Sequence, residues 1–408
     1  MILKYFKKNH LLLFIILLCA IFVRFLLSFL PGFKVDVNTW FAWANRLVEL
    51  GFSKFYDPKV WTHYTPGYLY IFWILGILKK TFHLSSQSAL LQLFKFPNNL
   101  ADILTAILIY KIIARKKARW ALLGLIFYLF NPALIFNSSV WGQLDSFLNL
   151  LMLVSLYFLL EGEKVFLSAL FLSLSVLVKP QALFILPVFA VFLFKKYKIQ
   201  KSIKFFSIFV LTTLLLSLPF FPDNPILGLP NLIIQMGNDY PYTTLEAFNM
   251  WQLFGDRQQD NLLFWGLSKY HWGLFIYLLF EIVIVSLIFL GKNKKQKYYL
   301  LAALSLFNFF LFPTRIHERY LLPVFPFLLI AASLFKSTLL ISNYFLLTIL
   351  HFLNLFYSYN FFYPNLIKIS FLSRINYLPK FASFLTIISF LTLLGFGFKK
   401  TYYFKNEN

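Results

Sequence analysis

Long apolar runs alternate with short polar segments along the whole chain. Their lengths approach that of a helix that crosses a lipid bilayer. Several runs are short for a full crossing, so we expect breaks at Pro and Lys residues. The predicted spans are 10–30, 67–82, 97–114, 119–138, 144–160, 164–178, 181–195, 203–220, 272–291, 297–313, 320–335, 338–356 and 381–398. The pattern predicts an all-α polytopic membrane protein.

Composition favours the same fold class. The chain has 408 residues, of which 60% are hydrophobic and 13% charged, and a soluble fold of this length cannot hide that much apolar surface. The net charge of +23 raises the alternative of nucleic-acid binding. Because the Lys and Arg residues cluster between apolar runs, the positive-inside bias explains them better, and no nucleic-acid partner is predicted. The single cysteine, Cys19, excludes a disulfide framework.

The basic clusters define the predicted cytoplasmic side. They are Lys4/Lys7/Lys8, Lys79/Lys80, Arg115/Lys116/Lys117/Arg119, Lys164, Lys195/Lys196/Lys198, Lys292/Lys294/Lys295 and Lys399/Lys400. Alternation fails between Lys80 and Arg115, where one span joins two clusters. A Pro-Asn-Asn break in segment 84–99 predicts an extra crossing or re-entrant piece there. The sequence thus predicts a single domain over residues 1–400 with about 12–14 transmembrane helices, and a short cytoplasmic tail at 401–408.

The same alternation assigns six loops to the outer, non-cytoplasmic face. They are 31–66, 139–143, 179–180, 221–271, 314–319 and 357–380. The longest, 221–271, has room for one or two interfacial helices. In the first, Trp40, Trp43 and Leu47 follow at helical spacing, which predicts an interfacial amphipathic helix. Long loops on one face of a membrane scaffold are where substrate chemistry is expected.

Two acidic residues stand out at this face. Asp36 is isolated among apolar and aromatic neighbours, and it is equally explained as a helix N-terminal charge or as a general base in a semi-apolar pocket. Asp145 begins an apolar run just after Trp141 and Gln143. An aromatic, an amide and a carboxylate in close succession are typical of sugar binding, whereas a simple helix cap is the competing explanation.

Three cations lie where the positive-inside bias makes cations scarce. Lys179 precedes Pro180, and it either snorkels to the interface or binds phosphate. Arg315 and Arg319 flank His317 and Glu318 in the segment "TRIHERY". Arginine suits phosphate oxygens, while an internal salt-bridge cluster is the alternative. Two residues such as His317 and Glu318 do not make a metal site.

A further outer segment, "FNMWQLFGDR", contains Asn249 and Trp251, which are also explained as ordinary interfacial residues. Taken together, the outer face offers an isolated carboxylate, a polar aromatic boundary and misplaced cations. This combination favours a site for the anionic headgroup of a lipid whose tail lies in the membrane.

The chain resembles the GT-C superfamily of integral-membrane glycosyltransferases that use polyprenyl-phosphate sugars. It looks most like the dolichyl-phosphate-glucose- and mannose-dependent transferases and their bacterial mannosyltransferase-like relatives. The resemblance rests on an ordered set of motifs over about residues 10–335. They are "VDVNTWFAWA", "THYTPGYLY" in place of a Tyr-Pro-Pro motif, "NPALIFNSSVWGQLDSF", "LVKPQAL", "AFNMW" and "TRIHERYLLPVFPF".

The resemblance implies a GT-C-like bundle that transfers a hexose, mannose or glucose, from a polyprenyl-phosphate donor to a glycan, lipid or protein acceptor with inversion. Asp36 is the implied catalytic base. The implied donor-phosphate ligands are Arg315, His317, Arg319 and Lys179. The implied sugar- and acceptor-binding residues are Tyr64, Trp141, Gln143, Asp145, Gln181, Asn249, Trp251 and Glu318. The first loop lacks a second acidic residue beside Asp36, which favours metal-independent transfer over transfer with a divalent metal, and no other cofactor is expected.

The implied location is the cell (inner) membrane, with the active site on the non-cytoplasmic face. Two other functions share an anionic lipid-linked substrate. A flippase or transporter predicts charges buried within spans and paired broken helices. A polymerase or ligase of lipid-linked glycans also keeps cationic outer loops. Acceptor-dependent release of polyprenyl phosphate distinguishes a transferase from a flippase.

Overall fold

The computed structural model describes residues 2–116, 118–290, 294–363 and 377–406. The α-helices are α1 (Ile2–Leu27), α2 (Lys34–Leu50), α3 (Pro66–Thr81), α4 (Gln87–Ala114), α5 (Ala118–Leu129), α6 (Pro132–Ile135), α7 (Asp145–Leu160), α8 (Val165–Val178), α9 (Leu186–Lys196), α10 (Ile199–Ser217), α11 (Gly228–Asn238), α12 (Lys269–Phe289), α13 (Lys295–Leu311), α14 (Val324–Phe335), α15 (Thr338–Phe362) and α16 (Leu378–Asn406).

Short elements join these helices. A π-helical turn covers Phe136–Trp141, and 3-10 turns cover Pro180–Ile185, Leu218–Phe220, Met250–Leu253 and Glu318–Leu321. The strands are β1 (Thr244–Leu245), β2 (Leu263–Phe264), β3 (Leu267–Ser268) and β4 (Ile316–His317). Strand β1 pairs in parallel with β4, and β2 pairs antiparallel with β3.

The prediction of an all-α polytopic membrane protein is confirmed. Within the described residues, six helices are long and apolar enough to cross a membrane. A seventh span is obtained if the pair Arg119–Leu129 and Pro132–Trp141, bent by 41°, is counted as one. The expected total of about 12–14 also counted shorter apolar helices, such as Asp145–Leu160 and Val165–Val178. These helices are apolar but too short to count as membrane spans by length and composition alone.

The predicted chain break in segment 84–99 is wrong. Helix α4 runs without interruption through Pro97, although an interior proline removes one helical hydrogen bond. The neighbouring amides bind other elements instead of forming a turn. Asn98 Nδ2 donates to the Tyr68 hydroxyl at 2.8 Å, and Asn99 Nδ2 donates to Ser28 Oγ at 2.8 Å. These buried contacts hold the helix together across the proline.

The C-terminal boundaries also differ from the prediction. Helix α15 continues to Phe362, so the start of the predicted outer loop 357–380 is helical, and residues 364–376 of that loop lie outside the described part. Helix α16 continues to Asn406, through most of the predicted tail, and residues 407–408 are likewise outside it. Of the basic clusters, Lys117 and Lys292 fall on residues that are not described.

Charged side chains are also buried inside the bundle, whereas the sequence pointed to charges at one surface. Arg24 Nε lies 3.4 Å from Asp102 Oδ2, with both side chains buried. Lys95 Nζ donates to the carbonyls of Leu30 at 2.7 Å and Val140 at 3.1 Å. Glu281 accepts from Asn308 Nδ2 at 2.9 Å. These contacts join helices to one another, which offsets part of the cost of burying charge.

Two arrangements bring the outer loops together. Helix α2 buries Trp40, Trp43 and Leu47, which confirms the predicted helix of the first outer loop. The β1–β4 pair joins the long outer loop to the segment that precedes α14, with Leu245 opposite His317. Segments far apart in the sequence therefore share one end of the bundle.

Candidate functional site

Asp36 lies in the first turn of α2, where its carboxylate faces the turn that ends at Trp141. Trp141 Nε1 donates to Asp36 Oδ2 at 3.3 Å, and Gln143 Nε2 donates to the same oxygen. Among the described residues, Asp36 Oδ1 accepts no hydrogen bond. One oxygen is therefore held in place, while the other remains free to accept a proton.

Local backbone geometry explains why Trp141 and Gln143 reach Asp36. The π-helical turn ends at Gly142, whose φ of 90° lies in the left-handed region that glycine adopts at little cost. The Phe33 N–H donates to the Trp141 carbonyl at 3.2 Å, and the Phe33 ring stacks on Trp141 with centroids 5.2 Å apart. These contacts fix the start of α2 against the turn.

A second carboxylate is paired with a buried lysine. Lys179 Nζ donates to Asp145 Oδ1 at 2.7 Å, and Gln181 Nε2 approaches the same oxygen at 3.4 Å. Asp145 Oδ2 is buried and accepts no hydrogen bond from any described residue. Lys179 follows the last residue of α8 with extended backbone, so the helix end directs it inward. It does not snorkel, because its side chain is only 9% exposed.

The "TPG" turn sets the position of Lys179. A Cβ on Gly67 would lie 2.5 Å from the Leu177 carbonyl carbon, so only glycine lets α3 approach the end of α8 this closely. Thr65 Oγ1 donates to the Val178 carbonyl at 3.2 Å. The hydroxyl of the preceding Tyr64 lies within the electrostatic reach of three charges. Arg319 lowers its pKa, whereas Asp145 and Asp36 raise it. The polar cluster at the start of α3 thus faces Asp36 and Arg319.

Arg319 lies at the centre of the site. Its Nη1 donates to Glu318 Oε1 at 2.9 Å, while its buried Nε donates to no described residue. His317 Nδ1 is 3.8 Å from Glu318 Oε2. The positive charge of Arg319 lowers the pKa of Asp36, Lys179 and His317 alike. A cation with an open donor and three polar neighbours is suited to bind an anionic group.

Burial sets the protonation of the site. It raises the pKa of Asp36 above its usual value, although Arg319 and the Trp141 hydrogen bond oppose the shift. It lowers the pKa of Lys179, against the attraction of the Asp145 carboxylate. It also lowers the pKa of His317 well below its usual value, and Arg319 adds to this effect. His317 is therefore a neutral imidazole at physiological pH, and fixed positive charge comes from Arg319 and Lys179.

The contacts of three further residues assigned from the sequence are with other parts of the outer loops and helices. Every described contact of the Arg315 side chain is with the long outer loop: Nε donates to Asp260 at 2.7 Å, and Nη1 donates to the Gly237 carbonyl and to Asn238 at 2.7 Å each. It belongs to the salt-bridge cluster that was the alternative explanation. Asn249 caps a 3-10 turn by accepting from the Trp251 N–H. Trp251 is buried, and its Nε1 donates to the Phe312 carbonyl at 2.8 Å.

Three residues beside the site had no distinguishing signal in the sequence, namely Tyr240, Glu246 and Arg257. A fourth, Tyr320, ends the cationic segment "TRIHERY" but had no predicted role. Arg319 lowers the pKa of Tyr240 and Asp36 raises it. The Tyr320 ring lies 5.3 Å from the His317 ring. Burial, with a contribution from Glu318, raises the pKa of Glu246 to about 7, although this carboxylate pairs with Arg257. The β1–β4 pairing brings Glu246 here, and short strands of this kind leave no periodic signal.

Within the described residues, no three His, Cys, Asp or Glu side chains lie close enough together to hold a metal ion. The two outer carboxylates, Asp36 and Asp145, are instead each bound by nitrogen donors.

Comparison with known proteins supports the fold. The structure is similar to that of ArnT from Cupriavidus metallidurans bound to undecaprenyl phosphate, with a TM-score of 0.56 and 13% identity over 94% of this chain and 77% of that one. It is also similar to the same protein in the apo state, with a TM-score of 0.54 and 14% identity over 94% and 76% of the two chains. The fold and the clustered outer loops define an all-α polytopic membrane protein with a GT-C-like architecture.

One protein family matches part of the sequence. Residues 44–222 match the family described as GPI transamidase subunit PIG-U. The matched segment contains Tyr64, Asp145 and Lys179, whereas Asp36 and Arg319 lie outside it. No curated protein is significantly similar to the chain in sequence.

Proposed function

We propose that this protein is an integral-membrane glycosyltransferase that moves a hexose from a polyprenyl-phosphate donor to an acceptor hydroxyl on the non-cytoplasmic side. The observation that carries the proposal is the Asp36 carboxylate. One of its oxygens is held by Trp141 and Gln143, and the other is open and subject to the charges of Arg319 and Lys179. The likeness to ArnT bound to undecaprenyl phosphate supports a polyprenyl-phosphate lipid as the partner.

The reaction is a single displacement with inversion. The acceptor oxygen attacks the anomeric carbon, its proton passes to Asp36 Oδ1, and the bond from the anomeric carbon to the phosphate oxygen breaks. Polyprenyl phosphate leaves with the bonding electrons. The raised pKa of Asp36 makes it a better proton acceptor near neutral pH than an exposed aspartate. Inversion and the hexose identity follow from the resemblance to the GT-C superfamily.

Arg319 and Lys179 stabilise the charge that develops on the leaving phosphate. Fixed cations in a site of low polarity contribute most where charge appears only in the transition state. Arg319 has a donor without a partner among the described residues, whereas Lys179 must share its charge with Asp145. His317, being neutral, can donate one hydrogen bond and accept another. Arg315 has no assigned role in donor binding.

The direct test replaces the proposed base. We expect Asp36→Asn to lower acceptor-dependent release of polyprenyl phosphate by about 10²–10⁴-fold, the range in which a positioned base contributes. The measurement uses purified protein in nanodiscs with a polyprenyl-phosphate mannose or glucose donor.

The matched control is Asp57→Asn, in the same outer loop. Asp57 pairs with Arg46 and is 40% exposed, so this variant should stay within about twofold of the wild type. Equal turnover of Asp36→Asn and wild type would remove Asp36 as the base.

A second function is favoured by the match to a transamidase subunit. In that case the chain binds a lipid-linked substrate for a partner enzyme and does no chemistry itself. The matched segment omits both Asp36 and Arg319, so it does not include the proposed chemical centre. Turnover by the isolated chain supports the transferase. Donor binding without turnover, together with activity only in a complex, supports the subunit.

A further inference from the structure

The long outer loop carries an apolar hairpin whose tip points away from the protein. Strands β2 and β3 pair with Phe264 opposite Leu267, and Trp265 and Gly266 form the tip. Trp265 is 87% exposed and Leu263 75% exposed. The segment from Leu262 to Leu267 contains no charged residue. A hairpin of this composition is costly in water, because most of the surface of Leu263 and Trp265 is exposed.

The backbone at the tip adds to this cost. Trp265 has a φ of 49° and Gly266 a φ of 84°. Two successive residues with positive φ are typical of a tight hairpin turn, which usually takes Asn or Gly at the first position. A bulky residue in this conformation is strained. Strain together with exposure at one residue indicates that the side chain has an interaction partner.

The hairpin is continuous with a surface that faces lipid. It leads directly into α12, one of the six helices that qualify as membrane spans. Trp272 Nε1, in the first turns of α12, donates to the Phe264 carbonyl at 2.6 Å, and its ring contacts Phe275. Phe275 is 56% exposed on the face that continues along α12. The hairpin tip therefore lies beside the point where α12 enters the bilayer.

We infer that the β2–β3 hairpin inserts its tip, Leu263 to Leu267, into the interfacial region of the outer leaflet. The partner is the lipid bilayer itself. Tryptophan is enriched at this depth, because its ring is apolar and its N–H can reach the headgroups. Ser268 lies at the base of the hairpin, and Lys269 is buried there, where its Nζ donates to Gln258.

The inserted hairpin is joined to the candidate site. Asp260, at its base, binds Arg315 Nε at 2.7 Å, and Arg315 also binds the end of α11 through Asn238. Arg315 leads into β4, and Arg319 follows four residues later in the sequence. Insertion of the tip thus fixes the segment with His317 and Arg319 at a set height above the membrane, and Arg315 supplies this link.

Spin labels measure the insertion without any assumption about activity. In a Cys19→Ser background, which removes the one cysteine, nitroxide labels are placed at Leu263→Cys, Trp265→Cys and Gln259→Cys. The protein is held in nanodiscs of phosphatidylcholine and phosphatidylglycerol. Accessibility to oxygen is compared with accessibility to a water-soluble nickel chelate by power saturation.

We expect labels at 263 and 265 to be open to oxygen and protected from nickel, and the label at exposed polar Gln259 to be open to nickel. Nickel access at 265 equal to that at 259 would overturn the inference and would assign the tip to solvent or to a protein partner. All three side chains are exposed or at a loop surface, so the labels leave the core packing unchanged.

A second measurement rests on the proposed function. Trp265→Glu places a carboxylate in the headgroup region, and we expect turnover of a long-chain donor in nanodiscs to fall by about tenfold. Turnover of a short-chain donor in detergent should remain within about twofold, because no bilayer sets the height of the loop there. Absence of turnover in the wild type would refute the transferase but not the insertion, which the labels decide. An equal loss in both media would refute the link from hairpin to site.

Discussion

Arg315 and Arg319 are separated by three residues and carry the same charge, yet their side chains contact different groups. Arg315 is bound by Asp260, Asn238 and a backbone carbonyl, which occupy its donors. Arg319 keeps Nε without a described partner and acts on Asp36. Strand β4, Ile316–His317, lies between them, and Arg319 belongs to the 3-10 turn that begins at Glu318. From the sequence, both arginines were predicted to bind the phosphate of the donor.

This difference predicts a pair of variants with opposite effects. Arg319→Gln should lower turnover of the polyprenyl-phosphate donor by about 10²-fold or more, because a cation at the developing phosphate charge is lost. Arg315→Gln should lower the thermal unfolding midpoint, because it leaves the buried Asp260 carboxylate without its cationic partner. Steady-state kinetics and thermal unfolding in nanodiscs measure the two effects. The assignment fails if Arg315→Gln is the variant that loses chemistry while keeping stability.

The pH dependence gives an independent residue-scale prediction. Asp36 acts as a base only when ionised, so kcat/KM should fall as the pH is lowered through its raised pKa. Arg319 lowers that pKa, so its removal in Arg319→Gln should move the acidic limb to higher pH. Arg315→Gln should leave the limb where it is. An acidic limb at the ordinary aspartate value in the wild type would contradict the buried base.

At the scale of elements, one glycine governs how two helices meet. Gly67 lets the start of α3 touch the backbone at the end of α8, directly before Lys179. We expect Gly67→Ala to lower the unfolding midpoint and also turnover, because the added methyl pushes the helices apart and displaces Lys179. The expected loss of stability is about 1–3 kcal/mol, typical of overpacking.

Gly237 provides the matched control. It is also a helical glycine, but a Cβ there meets nothing within 4 Å. Gly237→Ala should be neutral or stabilise the protein by up to about 1 kcal/mol, since alanine is the better helix former. Equal behaviour of the two variants in thermal unfolding would mean that the α3–α8 contact is looser than described.

At the scale of the whole molecule, the site is assembled from four separate loops at one end of the bundle. The assigned sidedness rests on the positions of the basic clusters in the sequence, with the exception of Lys79/Lys80, because Lys79 Nζ donates to Asn45 of α2 in the first outer loop at 2.8 Å. Single cysteines in the Cys19→Ser background test it. A membrane-impermeant maleimide should label Gln259→Cys from the non-cytoplasmic side of intact cells. Glu163→Cys, which is 60% exposed beside Lys164, should react only after permeabilisation. The reverse pattern would place the site in the cytoplasm.

The amino-acid sequence by itself determined the fold class, the helix of the first outer loop and most helix boundaries. These follow from local pattern, because each helix satisfies its own backbone hydrogen bonds within the bilayer. It also pointed to Asp36, Asp145, Lys179 and Arg319, because a charge at a membrane surface stands out against apolar neighbours. The structure groups these four side chains at one end of the bundle.

Only the tertiary structure decided which polar residues work together. Pro97 lies within an unbroken helix, and its neighbours Asn98 and Asn99 bind Tyr68 of α3 and Ser28 just beyond α1. Arg315 and Arg319 differ in their contacts because Asp260, more than fifty positions away from either, binds Arg315 and not Arg319. Glu246 joins the site through a parallel strand pair of two residues. Such partners lie far apart in the sequence, and a contact between them forms only when the chain folds. A local sequence pattern therefore cannot predict it.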